Sequence, residues 1–96
     1  MKVELRKICY IEGLKDYVKI YLEDASQPIV SLISMKSLEE LLPSSSFIRV
    51  HRSYIVNLDQ IRMIERNRIV FGKNYIPVSD SYKDKFTDFL NRKTVK

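Results

Sequence analysis

Phe47-Ile48-Arg49-Val50-His51-Arg52-Ser53-Tyr54-Ile55-Val56-Asn57 is the stretch on which the reading of this chain turns. β-Branched and aromatic residues flank a charged centre, Arg49 to Ser53, which suits strands interrupted by polar residues. Leu58 to Gln60 reads as a turn in which Asn57 or Asp59 bonds local backbone. Beyond it, Ile61 to Glu65 and Arg68 to Phe71 are two strands around an Arg66-Asn67 turn, and Gly72 to Asn74 turns the chain into Tyr75 to Val78. A three-stranded meander follows from that order.

Upstream, Val18, Ile20 and Leu22 alternate with Lys19, Tyr21 and Glu23, the period of a strand with one buried face. Lys7 to Glu12 is rich in Ile and Tyr, so Gly13 to Asp16 becomes the loop of a hairpin; a further turn ends at Pro28, and Ile29 to Ile33 is a third strand. The period then changes. Ser34 to Leu42 places Met35, Leu38, Leu41 and Leu42 on one side of a short helix, Ser37-x-x-Glu40 fits a capping box, and Pro43 ends it. Near the end of the chain Tyr82, Phe86, Phe89 and Leu90 fall at i, i+4, i+7 and i+8, the stripe of a helix lying on the body, with Pro77 and Ser79 where it begins. The sum predicts a mainly β domain of six to eight short strands with one short internal helix and a C-terminal helix.

Length and composition bound what such a domain can do. Ninety-six residues with 45% hydrophobic and 30% charged side chains make one core. A single cysteine, Cys9, forms no internal disulfide, and a single histidine, His51, builds no Cys/His metal cluster, so no metal is expected and a reducing cytoplasm is the default compartment. Ile69-Val70-Phe71 is the longest aliphatic or aromatic run, far below a membrane span. Two glycines, Gly13 and Gly72, exclude a P-loop or a dinucleotide fingerprint, and no cofactor is expected. His51 alone titrates near neutrality, without the partners of a catalytic set, so no enzyme activity is expected.

The net charge of +5 favours an anionic partner. Between Phe47 and Tyr75 stand Arg49, Arg52, Arg62, Arg66, Arg68 and Lys73 against Asp59 and Glu65, so this segment holds four of the five surplus charges. Five of those six are Arg, whose planar fork suits phosphate oxygens or the guanine edge. Composition leaves a second reading open, a solvated sheet face whose arginines pair with acids. The internal helix carries Lys36, Glu39 and Glu40, and the terminal one mixes Lys83 and Lys85 with Asp84 and Asp88. Neither is a basic recognition helix, so loops or strand ends would have to enter a groove.

The quoted stretch, followed by Ile61, resembles the signature of the LytTR DNA-binding domain, the output module of a class of bacterial response regulators. Ile11-Glu12 with Asp16-Tyr17-Val18 resembles the family's first hairpin, Ser37-Leu38 to Leu42 its short helix, and Ile76-Pro77-Val78-Ser79 with Tyr82-Lys83 its closing element. The likeness covers roughly Lys7 to Leu90 of a single domain spanning 1–96. It implies small stacked antiparallel sheets that place loops into successive major grooves of double-stranded DNA, as two copies on a repeated site. It also implies a transcription regulator of a two-component system. Since 96 residues from Met1 leave no space for a receiver, the chain is expected to be the C-terminal part of a longer regulator, cytoplasmic and with no membrane in this segment.

The family's base-contacting positions fall in three places. The first is the hairpin loop, Lys15, Asp16 and Tyr17, with Lys19 beyond it. The second is His51, Arg52 and Ser53, with Arg52 the best candidate for a base; outside the three places, Arg49 and Arg68 are further candidate DNA contacts, Arg68 to phosphate. The third is Ser79, Asp80, Ser81 and Lys83, where many members place an Arg beside the serine and this chain has Asp80. A carboxylate is repelled by phosphate, so contact there is weaker, restricted to a donor such as cytosine N4, or made by Ser79, Ser81 or Lys83 instead. Two rival readings are a single-strand or RNA binder stacking bases on tyrosines, and a protein-interaction module with a basic face.

Overall fold

Eight short strands and two helices follow one another in a computed structural model that describes residues 3–93. Their order is β1 (Ile8–Gly13), β2 (Val18–Leu22), β3 (Ile29–Ser31), α1 (Met35–Leu41), β4 (Phe47–His51), β5 (Tyr54–Asn57), β6 (Met63–Glu65), β7 (Arg68–Phe71), β8 (Asn74–Pro77) and α2 (Asp80–Lys93). Single 3-10 turns lie at Leu5–Lys7 and Leu58–Gln60. Arg92-Lys93-Thr94-Val95-Lys96 reads in the sequence as a frayed end, and its last three residues lie outside the described residues.

The strands form two antiparallel sheets, a five-stranded one in the order β3-β2-β1-β5-β4 and the three-stranded meander β6-β7-β8. Side chains of the large sheet divide between two cores. Ile8, Ile11, Val18, Ile20, Phe47 and Ile55 pack with Leu38 and Leu42 at α1. Tyr10, Ile48, Val50 and Val56 face the other way, against Ile69, Ile76 and Val78 around the small sheet and Phe86 and Phe89 of α2. The large sheet is therefore a middle layer. Central β1 is covered on both faces, which is why Ile8-Cys9-Tyr10-Ile11 shows no hydrophobic alternation while β2, nearer the edge, does.

Short polar connections set the layers in place. Ser34, not Ser37, caps α1: its hydroxyl accepts from the Ser37 amide at 3.1 Å, so the expected capping box lies one turn too late. Leu41, expected on the inner stripe, is 72% exposed, because Leu38 and Leu42, one turn apart, already span the contact. A Cβ on Gly13 would fall 2.5 Å from Met35 Cγ, so a glycine there lets the end of β1 approach the start of α1. Asn57 is 1% exposed and fully used: its Nδ2 donates to the Ile8 carbonyl at 2.8 Å and its Oδ1 accepts from the Asp59 amide at 3.0 Å. That side chain locks β5 to the start of β1 and caps the 3-10 turn, the local role expected for it.

Candidate nucleic-acid interface

Four segments that are distant in sequence are joined by main-chain hydrogen bonds. Gly13, at the end of the β1–β2 hairpin, donates to the Ser53 carbonyl at 2.7 Å, and Ser79, just before α2, donates to the Val50 carbonyl at 2.9 Å. Val78 donates to the Asn67 carbonyl at 3.0 Å, which adds the β6–β7 turn to the group. These backbone bonds tie the segments together without drawing on the exposed side chains of Lys15, Asp16 or Arg52.

The β4–β5 turn is the most constrained of these. A bulge shifts the register between Arg49 and His51, leaving Val50 without a partner on β5 and fully buried. Arg49, 21% exposed, reaches Glu39 of α1 at 3.1 Å and also donates to the carbonyl of Arg52. Its guanidinium thus spans from the internal helix to the turn, a holding role rather than an outward-facing one. His51 Nδ1 accepts from the Ser53 amide at 3.0 Å, so the neutral ring carries its proton on Nε2. The His51 ring also leans on Tyr54, with centroids 5.5 Å apart. Arg52 is exposed, and its side chain makes no hydrogen bond or ion pair with the described residues.

Lys15 and Asp16 are exposed at the hairpin tip, where the Leu14 amide closes on the Tyr17 carbonyl at 2.8 Å; Tyr17 is half-buried. Lys19 lies one residue into β2, opposite Glu12 and half-buried. Ser79 and Ser81 hydroxyls pair at 3.4 Å, while Asp80 opens α2 and Lys83 is exposed on its first turn. Arg68 stacks over the Tyr75 ring at 4.5 Å. Arg66, absent from the expected site, occupies the tip of the β6–β7 turn with φ 60°. A left-handed φ is unusual for a residue with a side chain, and such strain concentrates at functional positions; the Arg66-Asn67 pair read in sequence only as a turn.

Beneath the hairpin sits an aromatic support. Tyr10 stacks on Tyr21 at 4.4 Å and on Phe71 at 5.1 Å, with Tyr54 at 6.4 Å, and the Tyr21 hydroxyl donates to Glu12 at 3.2 Å. Burial raises the pKa of Tyr10, Tyr21 and Tyr54, so these phenols stay neutral. Burial likewise raises the Cys9 thiol, which suits a small packed side chain and not a reactive one. Among the described residues no cluster of His, Cys, Asp and Glu could hold a metal, and no helix is long and apolar enough to cross a membrane.

Comparison with known proteins gives a consistent result. The family model of the LytTr DNA-binding domain matches residues 1–91. The sensory transduction protein LytT of Bacillus subtilis (strain 168) is 30% identical over 95 residues, 93% of this chain and 39% of that protein. LytT of Bacillus anthracis is 32% identical over 94 residues, 92% of this chain and 37% of its own length. This chain thus spans less than two fifths of the curated relatives it matches. A solved LytTr DNA-binding domain from Bacillus cereus superimposes with a TM-score of 0.80 at 30% identity, covering 94% of this chain and 86% of that one.

Proposed function

Because the chain belongs to the LytTR DNA-binding domain family, we propose that it binds double-stranded DNA sequence-specifically through the joined turns and acts in transcription regulation. One observation supports this most: four segments with exposed polar side chains are fixed to one another by backbone bonds, and among them Arg52 is exposed and unpaired with the described residues. A preorganised, uncommitted guanidinium is suited to bidentate contact with a guanine edge in the major groove. Lys15, Lys83, Arg66 and Arg68 serve as phosphate partners in this reading, and the His51 Nε2–H and the hydroxyls of Ser53, Ser79 and Ser81 are further donors.

Helix α2 is not the reading element in this proposal. Asp80, Asp84 and Asp88 recur every four residues along it, so one of its ridges repels phosphate. Two copies on a repeated site and a receiver upstream complete the proposal, the latter because relatives named sensory transduction proteins are more than twice as long. The single-strand reading is disfavoured by three of the tyrosines: Tyr10 stacks on Tyr21 and tilts against Tyr54 within the fold, so these rings offer no open platform for bases.

A salt-titrated binding experiment on duplex and single-stranded DNA tests the proposal. Duplex binding should fall with a log–log slope of about −0.9 per phosphate contact, with random competitor DNA displaced by the selected site. Equal affinity for single strands, or no preference among duplexes, would overturn it.

A further inference from the structure

A groove of about 550 Å³ lies between α1 and α2 along the free edge of β4. Its size is that of small-molecule sites, about 300 to 1,000 Å³. Leu42, Phe47, Ile48, Ile55 and Phe89 make an apolar floor, and Ser44 and Ser45 are the neutral polar groups at its margin. The charges around it are Glu39, Arg49, Lys85 and Arg92. Glu39 is committed to Arg49 at 3.1 Å, whereas Lys85 and Arg92 form no ion pair with the described residues; Asp88, one turn before Arg92, lies outside the lining. The groove is thus apolar below and cationic at its rim.

DNA at the joined turns does not account for Arg92. At 1.5 Å per residue Arg92 stands about 18 Å along α2 from Asp80, the end that meets the joined turns. Arg49 adds a second sign, because its Nε is buried without a hydrogen-bond partner, and an orphaned buried donor is costly unless something accepts from it.

We propose that this groove binds an apolar monocarboxylate of the medium-chain fatty-acid class, its chain over Phe47, Ile48 and Phe89 and its carboxylate among Lys85, Arg92 and Arg49. A floor without polar side chains gives a nucleotide or sugar nothing to pair with, and an uncharged hydrocarbon would leave the rim unused. Occupancy would reach the joined turns through one residue: Arg49 lines the groove and also bonds the Arg52 carbonyl, so a carboxylate that draws on its donors shifts the β4–β5 turn.

Titration of the 96-residue chain with decanoate below its micelle-forming concentration, followed through backbone amide NMR, tests this without DNA. Saturable shifts are expected at Ile48, Arg49 and Phe89, with a linked shift at Ser53. Decanol should bind roughly tenfold more weakly, and so should decanoate to the double variant Lys85→Glu, Arg92→Glu, since charged partners at a rim account for that order of difference. Lys73→Glu, on the β7–β8 turn, should leave binding unchanged. No saturable shift, equal binding of decanol, or a groove already closed by a second copy and seen as a concentration-dependent dimer would each overturn the proposal.

Discussion

The β4–β5 turn and the β8–α2 junction are neighbours joined by the Ser79–Val50 hydrogen bond, yet they present opposite chemistry. The first offers Arg52, with Arg49 bracing its carbonyl from behind; the second offers two hydroxyls and Asp80. Main-chain bonding, with Arg49 bracing the first turn, fixes where both segments stand, and their exposed side chains decide what each can hold. In the proposed complex the first turn grips, and the second discriminates by refusing phosphate close to its carboxylate. Position and chemistry are separable here, so single substitutions can break one without the other.

Arg49→Ala should have the largest effect because it attacks position. It removes the contact to Glu39 and the bond to the Arg52 carbonyl, and a hydrogen bond to a charged group contributes about 1.5 to 3 kcal/mol. Urea unfolding should show a loss near the lower value, since the side chain is partly exposed, and DNA affinity should fall at least as far as on loss of Arg52 itself. Unchanged stability would break the distinction between holding and contacting arginines. Arg52→Ala attacks chemistry alone: stability should stay within about 0.5 kcal/mol, while binding to the selected site drops by about 1 to 3 kcal/mol with relaxed base choice at one position.

That distinction was invisible in the sequence, where Arg49 and Arg52 differ by three positions and share a residue type. What separates them is the bulge at Val50 and the nearness of Glu39, ten residues back on another element; both are tertiary facts. The strands, the meander and the aromatic helix were legible because each follows a local period, and Asn57 because a turn followed it. Ser34 is not legible as the cap, since Ser37 with Glu40 three residues on satisfies the local box and only the helix start tells the two serines apart. Arg66 passed as a turn residue, for nothing local announces φ 60° at an arginine. Joining of the four segments rests on bonds between residues 13 and 53, 50 and 79, and 67 and 78, pairings that no local period announces.

Asp80→Asn sharpens the comparison from its other side, with two small effects of opposite sign. As the first residue of α2, Asp80 favours the helix dipole, so the change should cost about 0.3 to 1 kcal/mol of stability. Binding should strengthen by a similar amount at low salt and fade at high salt, because a charge facing phosphate is removed. A fall in both quantities would mean that Asp80 accepts from a base, as cytosine N4 would permit, and the junction would then read sequence rather than repel backbone.

Arg68→Ala should give the smallest change and the most uniform one. Arg68 leans on Tyr75, which is 48% exposed, at the strand end beside the junction, and a guanidinium so placed meets backbone phosphate more readily than a base edge. Selected and random duplexes should weaken by the same factor, with the salt slope reduced by about one contact. The fold should lose little, since an exposed cation–π contact contributes about 0.5 to 1 kcal/mol. A base-selective loss would move Arg68 from the phosphate-facing group to the reading group with Arg52, and the reading surface would then extend from the large sheet onto the small one.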